Sequence, residues 1–342
     1  MTGGGVGGAR GQGPYRPWSG GVEALPAACA ALARVDLLVF DLDGVLIDTS
    51  ASYPLAVEAA IARFCVEALH RPEGPAPVTA ADLPAWKAAG GFNDDWHVAQ
   101  GVCLFLTRQH LQGAWPVTGA AVAAFCAELT RLGGGLEAAR RLCPGADSPA
   151  GPWDPGAIAR SCMEHYGGDD GCRAMFGVSP ARPMGPGLWR RERALVDPRQ
   201  LAPWRGRLAV YTGRNAAEAA CGLEATGLAP YFPPRHRQTS DGGQGKPDPR
   251  GLLAHAASFR PGLLLFAGDM PDDAETVVRY RHCARRRPEL PPALFAGVRG
   301  GAAGALAEPA FRRLGADLIV DDARALLRVV RGGPAGPGGV SR

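Results

Sequence analysis

The chain has 342 residues, 46% hydrophobic and 20% charged, a balance that suits a globular protein with a sizeable core and excludes a disordered or fibrous one. Its formal charge of +4 comes from Arg residues scattered along the chain, without a basic stripe interleaved with aromatics, so no nucleic-acid partner is expected. Nine Cys without a C-x-x-C pair point to reduced core thiols rather than a zinc site or a disulfide framework, and no apolar run approaches the roughly 18 residues of a membrane span.

Residues 1–30 are rich in Gly, Pro and Ala, lack periodicity and open without the basic-then-apolar order of a signal peptide; they read as a disordered leader on a cytoplasmic protein. Residues 35–40 then form a β-type apolar run that stops at Asp41. Between 53 and 196 helical patterns predominate, at 55–69, 82–89, 95–109 and 118–132, and strand signals are absent. The Gly- and Pro-bearing stretches 143–155 and 167–186 read as irregular. Strand signals return at 207–211, which stops at Thr212-Gly213, and at 263–267, which stops at Gly268-Asp269; 294–298 and 317–320 repeat the pattern, and a helical stretch follows at 215–226. These runs are continuously apolar rather than alternating, as strands buried on both faces are. The expected architecture is therefore α/β: a doubly wound parallel sheet from 31–52 and 197–330, an inserted α-helical cap at 53–196, and a flexible tail at 331–342.

Ligands bind such sheets beyond the carboxyl ends of the strands, where four polar signals fall. The first is Asp41-Leu42-Asp43-Gly44-Val45-Leu46-Ile47-Asp48-Thr49. Two carboxylates at i and i+2 leaving a strand can converge on one cation, and their repulsion is costly unless a metal or substrate compensates; two turn-forming Asp residues beside a Gly fit the same letters. The second is Tyr211-Thr212-Gly213-Arg214, a hydroxyl and backbone N–H groups between strand and helix, which suits an oxyanion or a plain N-cap by Thr212 or Asn215. The third is Lys246, flanked by Gly245 and Pro247, able to offset carboxylate and phosphoryl charge or simply to sit at the surface. The fourth, Gly268-Asp269-Met270-Pro271-Asp272-Asp273, could complete an all-oxygen site of the kind that favours Mg²⁺, or cap the next helix.

Together and in this order, Asp41-x-Asp43-Gly-x-x-x-Asp48-Thr49, Thr212-Gly213, Lys246-Pro247 and Gly268-Asp269-x-x-x-Asp273 resemble the motifs of the haloacid dehalogenase superfamily. The resemblance spans about 36–327 and, through the position of the cap, is similar to subfamily IA. It implies a Mg²⁺-dependent phosphatase acting on a small phosphorylated metabolite. Asp41 would be the nucleophile, forming a phosphoaspartate, and Asp43 the general acid and base. Asp41, Asp269 and the Asp43 backbone carbonyl would hold Mg²⁺. Thr212, Gly213 and Lys246 would hold the phosphoryl group, with Asp273 orienting Lys246 or a metal-bound water and Asp272 as its substitute. In the cap, Trp86-Lys87-Ala88-Ala89-Gly90-Gly91-Phe92-Asn93-Asp94-Asp95-Trp96 also looks like a lid segment of one subfamily IA subgroup. Lys87, Gly91, Asn93 and Asp94 are the candidate specificity residues, while a helix-to-helix turn capped by Asn93 or Asp94 explains the same run. A phosphomutase keeps the same residues, and a noncatalytic binding protein is the reading from another class. No membrane or nucleic-acid partner is expected, and a monomer or homodimer is.

Overall fold

A computed structural model of the protein describes residues 15–18, 20–92, 94–243, 245–301 and 304–330. The strands, in chain order, are β1 (Arg16–Pro17), β2 (Val22–Ala24), β3 (Leu37–Phe40), β4 (Ile47–Asp48), β5 (Arg193–Ala194), β6 (Leu208–Tyr211), β7 (Arg237–Gln238), β8 (Leu264–Gly268), β9 (Ala293–Val298) and β10 (Leu318–Val320). Eight of them form one sheet in the order β1-β2-β10-β9-β8-β3-β6-β7, parallel from β10 to β7. Every residue of β3, β6, β8 and β9 is buried, because helices cover both faces. Leu38 and Phe40 pack into one core, while Leu37 and Val39, pointing the opposite way, pack into another.

Register fixes the position of the polar loops. Phe40 lies opposite Val210 of β6 and Ala267 of β8, so Asp41, Thr212 and Asp269 all leave the sheet at the same edge. The chain winds to one side of β3 for β6 and to the other for β8, which makes the end of β3 a topological switch point.

Between β4 and β5 run the helices Tyr53–Glu67, Leu83–Ala88, Asp95–Leu111, Gly119–Arg131, Gly135–Leu142 and Pro155–Phe176. They enclose a core of their own, centred on Trp86, whose ring meets Phe92 and Phe105 edge-on. β4 and β5 pair antiparallel, Ile47 opposite Ala194, and tie together the two chain segments that lead into and out of the helices. None of the described helices is long and apolar enough to cross a membrane, and all nine Cys are free thiols.

Three expectations need correction. From Tyr15 on, the stretch read as disordered leader is ordered: β2 pairs antiparallel with β10, Val22 opposite Val320, and the helix Pro26–Ala31 follows. A three-residue strand amid Gly and Pro is too short to leave a periodic signal, and its hold on the sheet includes Glu23, paired with Arg299 and Arg312, which are far away in sequence. Residues 1–14 and the tail 331–342 lie outside the described residues. The stretch 167–186 is helical from 169 as far as Phe176; Gly168, at φ 61 and ψ −168, is non-helical and breaks the run 155–176 into two helices, the second of which stops at Gly177 in the left-handed region. Finally, 53–196 does contain a strand, β5, two residues being too few to show alternation. The stretch 143–155 is a loop as far as Asp154, which caps the helix starting at Pro155.

Candidate active site

Asp41 is the first residue beyond β3, held by its backbone N–H to Ala267 O at 2.9 Å, while its Oδ1 accepts the Leu42 N–H at 2.8 Å. Its Oδ2 lies 2.8 Å from Lys246 Nζ, which is also 2.6 Å from Asp273 Oδ1. Asp273 sits in the first turn of the helix Pro271–Arg286, and its other oxygen accepts the Met270 N–H at 2.9 Å. The lysine is thus gripped between the nucleophile candidate and a fully buried carboxylate that is itself held by the start of a helix.

Oxygens of Asp41, Asp269 and Asp273 all lie within 4.8 Å of one another, and all three residues are buried. Burial pushes the Asp41 carboxyl up to about 7 despite Lys246, with Asp273 and Asp43 adding to the rise. Burial alone would pull the Lys246 ammonium down, but Asp273 and Asp41 outweigh it and hold the pKa above its ordinary value. A buried, oxygen-only cluster with more negative than positive charge is the donor set that a hard divalent cation fits.

A cavity of about 250 Å³ opens above this cluster, floored by Asp41, Asp43, Gly213, Lys246 and Asp269 and roofed by Lys87, Asp94, Asp95, Trp96, Met163 and Phe176. Lys87 Nζ is 2.9 Å from Asp95 Oδ1 and stays charged, since Asp95, Asp269 and Asp43 together outweigh its burial. Asp94 lines the cavity and also caps the helix Asp95–Leu111, accepting the Trp96 N–H at 2.8 Å. The cap reading of that segment therefore holds for Asp94, which also borders the cavity.

Other expected residues land differently. Gly91, expected beside the substrate, is a packing position: at φ 68, its missing Cβ would come within 2.9 Å of Gly135 N, and it does not line the cavity. Asn93 lies outside the described residues. Thr212 is wholly buried, and its Oγ1 accepts the Arg214 N–H at 3.2 Å. Asn215 caps the next helix through a reciprocal pair with Glu218. Asp272 stands next to the Asp273–Lys246 pair, its carboxyl pushed up to about 6 by burial and by Asp273.

Sequence reasoning quoted Arg214 at the end of the second motif but gave it no role. It is buried, and its guanidinium reaches Asp43 Oδ1 through Nη2 at 2.6 Å and Nε at 2.9 Å, and Glu192 Oε2 at 3.0 Å. Its position in the second motif was the only signal available.

No protein-family model matches the chain, and neither does any curated protein. Among solved structures, the phosphatase Tt82 from Thermococcus thioreducens superposes with a TM-score of 0.57 at 25% identity, over 87% of this chain and 100% of that one. A predicted phosphoglycolate phosphatase from Haemophilus somnus gives 0.50 at 16% identity, over 87% and 99%. The fold is haloacid dehalogenase-like. In that fold the switch point beyond β3 is where the four sequence motifs meet, and the helices between β4 and β5 form the roof above it.

Proposed function

We propose that the protein is a phosphatase that hydrolyses a small phosphorylated metabolite through a covalent phosphoaspartate on Asp41. The observation that carries this reading is the convergence of Asp41, Asp269, Asp273 and Lys246 at one sheet edge, with Lys246 Nζ 2.8 Å from Asp41 Oδ2. It is supported by the likeness to a phosphatase over nearly the whole chain.

In this reading an Asp41 oxygen attacks phosphorus and the ester P–O bond breaks, with Asp43 delivering a proton to the departing alkoxide. Asp43 then takes a proton from water as that water attacks the phosphoaspartate; the P–O bond to Asp41 breaks, and alcohol and inorganic phosphate leave. Lys246 neutralises charge gathered between Asp41 and the phosphoryl oxygens, and the Gly213 N–H faces those oxygens. Asp273 keeps Lys246 aimed. Asp41, Asp269 and the Asp43 carbonyl would hold Mg²⁺, which when bound offsets the charge of nucleophile and phosphate. The roof, by covering the cavity, excludes water during the first transfer. Lys87, Asp94 and Asp95 are the polar groups with which the roof would meet the organic end of a substrate, with Trp96 and Phe176 offering apolar surface.

The test is release of phosphate from p-nitrophenyl phosphate with Mg²⁺, abolished in Asp41→Asn. A panel of phosphorylated metabolites, run also on Lys87→Ala, then asks whether the roof selects. An unchanged preference profile refutes the specificity role of Lys87.

A further inference from the structure

Arg214 touches no residue of the Asp41–Asp269–Asp273 cluster through any contact described above, yet it is among the most heavily engaged side chains of the cavity wall. Nε and Nη2 both meet Asp43 Oδ1, and Nε also lies 3.3 Å from Oδ2. Nη2 is paired at the same time with Glu192, Nη1 reaches Tyr166 OH at 3.3 Å, and the Tyr53 ring stands 5.2 Å from the guanidinium carbon. Glu192 is only 2% exposed, and its Oε1 accepts Ser52 Oγ at 3.0 Å and Tyr166 OH at 2.9 Å. Gly222 leaves room for the guanidinium, since a Cβ there would overlap Arg214 Nη1.

Asp43, by contrast, is the one member of this network with its side chain about one-third open to the cavity, at 30% exposure against 1% for Arg214 and 0% for Glu192. A carboxylate held along one edge by a planar fork loses most of its rotational freedom, and the second carboxylate keeps the fork charged and fixed whether or not Asp43 stays on it. Were Glu192 absent, moving Asp43 toward a substrate would strand a buried cation, at a cost comparable to breaking a buried ion pair.

We propose that Arg214, backed by Glu192, is the positioning residue for Asp43: it sets the direction from which Asp43 hands its proton to the leaving group, and Glu192 allows Asp43 to turn toward the substrate without leaving Arg214 unpaired. Tyr53 and Tyr166 belong to the roof helices and Glu192 to the segment leading out of them, so the arrangement also links the roof to the acid. The inference rests on the phosphatase reading above.

Its test compares p-nitrophenyl phosphate, whose leaving group departs with little help, with benzyl phosphate, a similar ring on an alkoxide that must be protonated. The readout is kcat/KM, which covers attack by Asp41 and loss of the leaving group. General acid assistance is worth about 100-fold or more, so Arg214→Ala is expected to lower kcat/KM on benzyl phosphate by about that factor and on p-nitrophenyl phosphate by under about 10-fold. Arg214→Lys, which keeps the charge and loses the fork, guards against a folding failure and is expected to show the same skew. Asp43→Asn is expected to show it too, and the Asp43→Asn, Arg214→Ala double variant to skew no further than Asp43→Asn alone. Equal losses on both substrates in both Arg214 variants overturn the inference, as does a double variant in which the skews multiply. A wild type that hydrolyses only p-nitrophenyl phosphate lacks a working acid at Asp43 and overturns it too; a wild type that hydrolyses neither ester refutes the phosphatase reading itself.

Discussion

Lys246→Met tests the electrostatic logic of the site without any assumption about turnover. The substitution keeps most of the length and the apolar character of the side chain and deletes the ammonium, which stands 6.0 Å from the Phe266 ring centroid. In the wild type Nζ is 2.8 Å from Asp41 and 2.6 Å from Asp273, both buried. Without it, Asp41, Asp269 and Asp273 remain within 4.8 Å of one another, where two ionised carboxylates repel by at least about 3 kcal/mol at an effective dielectric constant near 20. Removing one partner of a buried ion pair costs about 3–5 kcal/mol, and that is the expected loss of stability at pH 8 with divalent metal chelated. The pH dependence has a definite sign. Because the Lys246 pKa is raised on folding, its own ionisation is complete below its unfolded value of roughly 10.4 and adds no pH dependence between pH 5 and 8. The Asp41 carboxyl, already pushed up to about 7 by burial in the wild type, rises further once the opposing cation is gone, so the variant loses more stability than the wild type as pH rises through that range, and the deficit is smaller at pH 5. Urea unfolding of both proteins at pH 5 and 8 in chelator measures it. A deficit below about 1 kcal/mol at pH 8, or one equal at both pH values, refutes the reasoning.

Gly301→Ala puts a Cβ into the Asp269 side chain, overlapping both its Oδ2 and its Cβ, so Asp269 or the 301 backbone must move. The expected result is at least about a 10-fold loss of Mg²⁺-dependent phosphatase activity together with a destabilisation of about 1–3 kcal/mol from the overlap, measured by urea unfolding, and wild-type activity in the folded variant would show that Asp269 is not needed where it stands. Glu218→Gln addresses a buried carboxyl outside the cluster, pushed up to about 7 by burial against the opposing hydrogen bond from Asn215 N–H. A folded pKa raised above the unfolded one means that wild-type stability falls as pH climbs from about 4.3 to about 7, by up to about 3 kcal/mol; Gln has no such step. The gap between the two stability–pH curves should therefore shift in favour of Glu218→Gln across that window, and parallel curves would show that Glu218 is not perturbed.

What was legible in the sequence follows from how locally each feature is determined. Strands β3, β6, β8 and β9 could be read within a residue or two because burial on both faces forces unbroken apolar runs, and each of the first three is followed directly by a polar residue, Asp41, Thr212 or Asp269, at the same sheet edge. Asp41 and Asp269 were legible for the same reason: a carboxylate directly after such a run has nowhere to go but the switch point. Lys246 was found through its motif, although nothing in its neighbours said that it would lie buried between two aspartates. The short strands β2 and β5 left no trace, since two or three residues define no period and their stability comes from partners far along the chain.

The Arg214 network was illegible for a deeper reason. Its members sit at 43, 53, 166, 192, 214 and 218, in separate segments of which only the last two are neighbours, and apart from Asp43 each looks ordinary where it stands. Glu192 is the sharpest case. In Arg190-Arg191-Glu192-Arg193 it reads as one more charge on a solvated surface, yet pairing of β4 with β5 brings the chain past Ser52 and leaves Glu192 facing inward while Arg191 and Arg193 remain exposed. A buried carboxylate in that position is costly unless a cation meets it, and Arg214 does so while also holding Asp43. The two charges account for each other only in three dimensions, which is why a residue standing inside a recognised motif carries no legible role without its partner, 22 positions back in the chain.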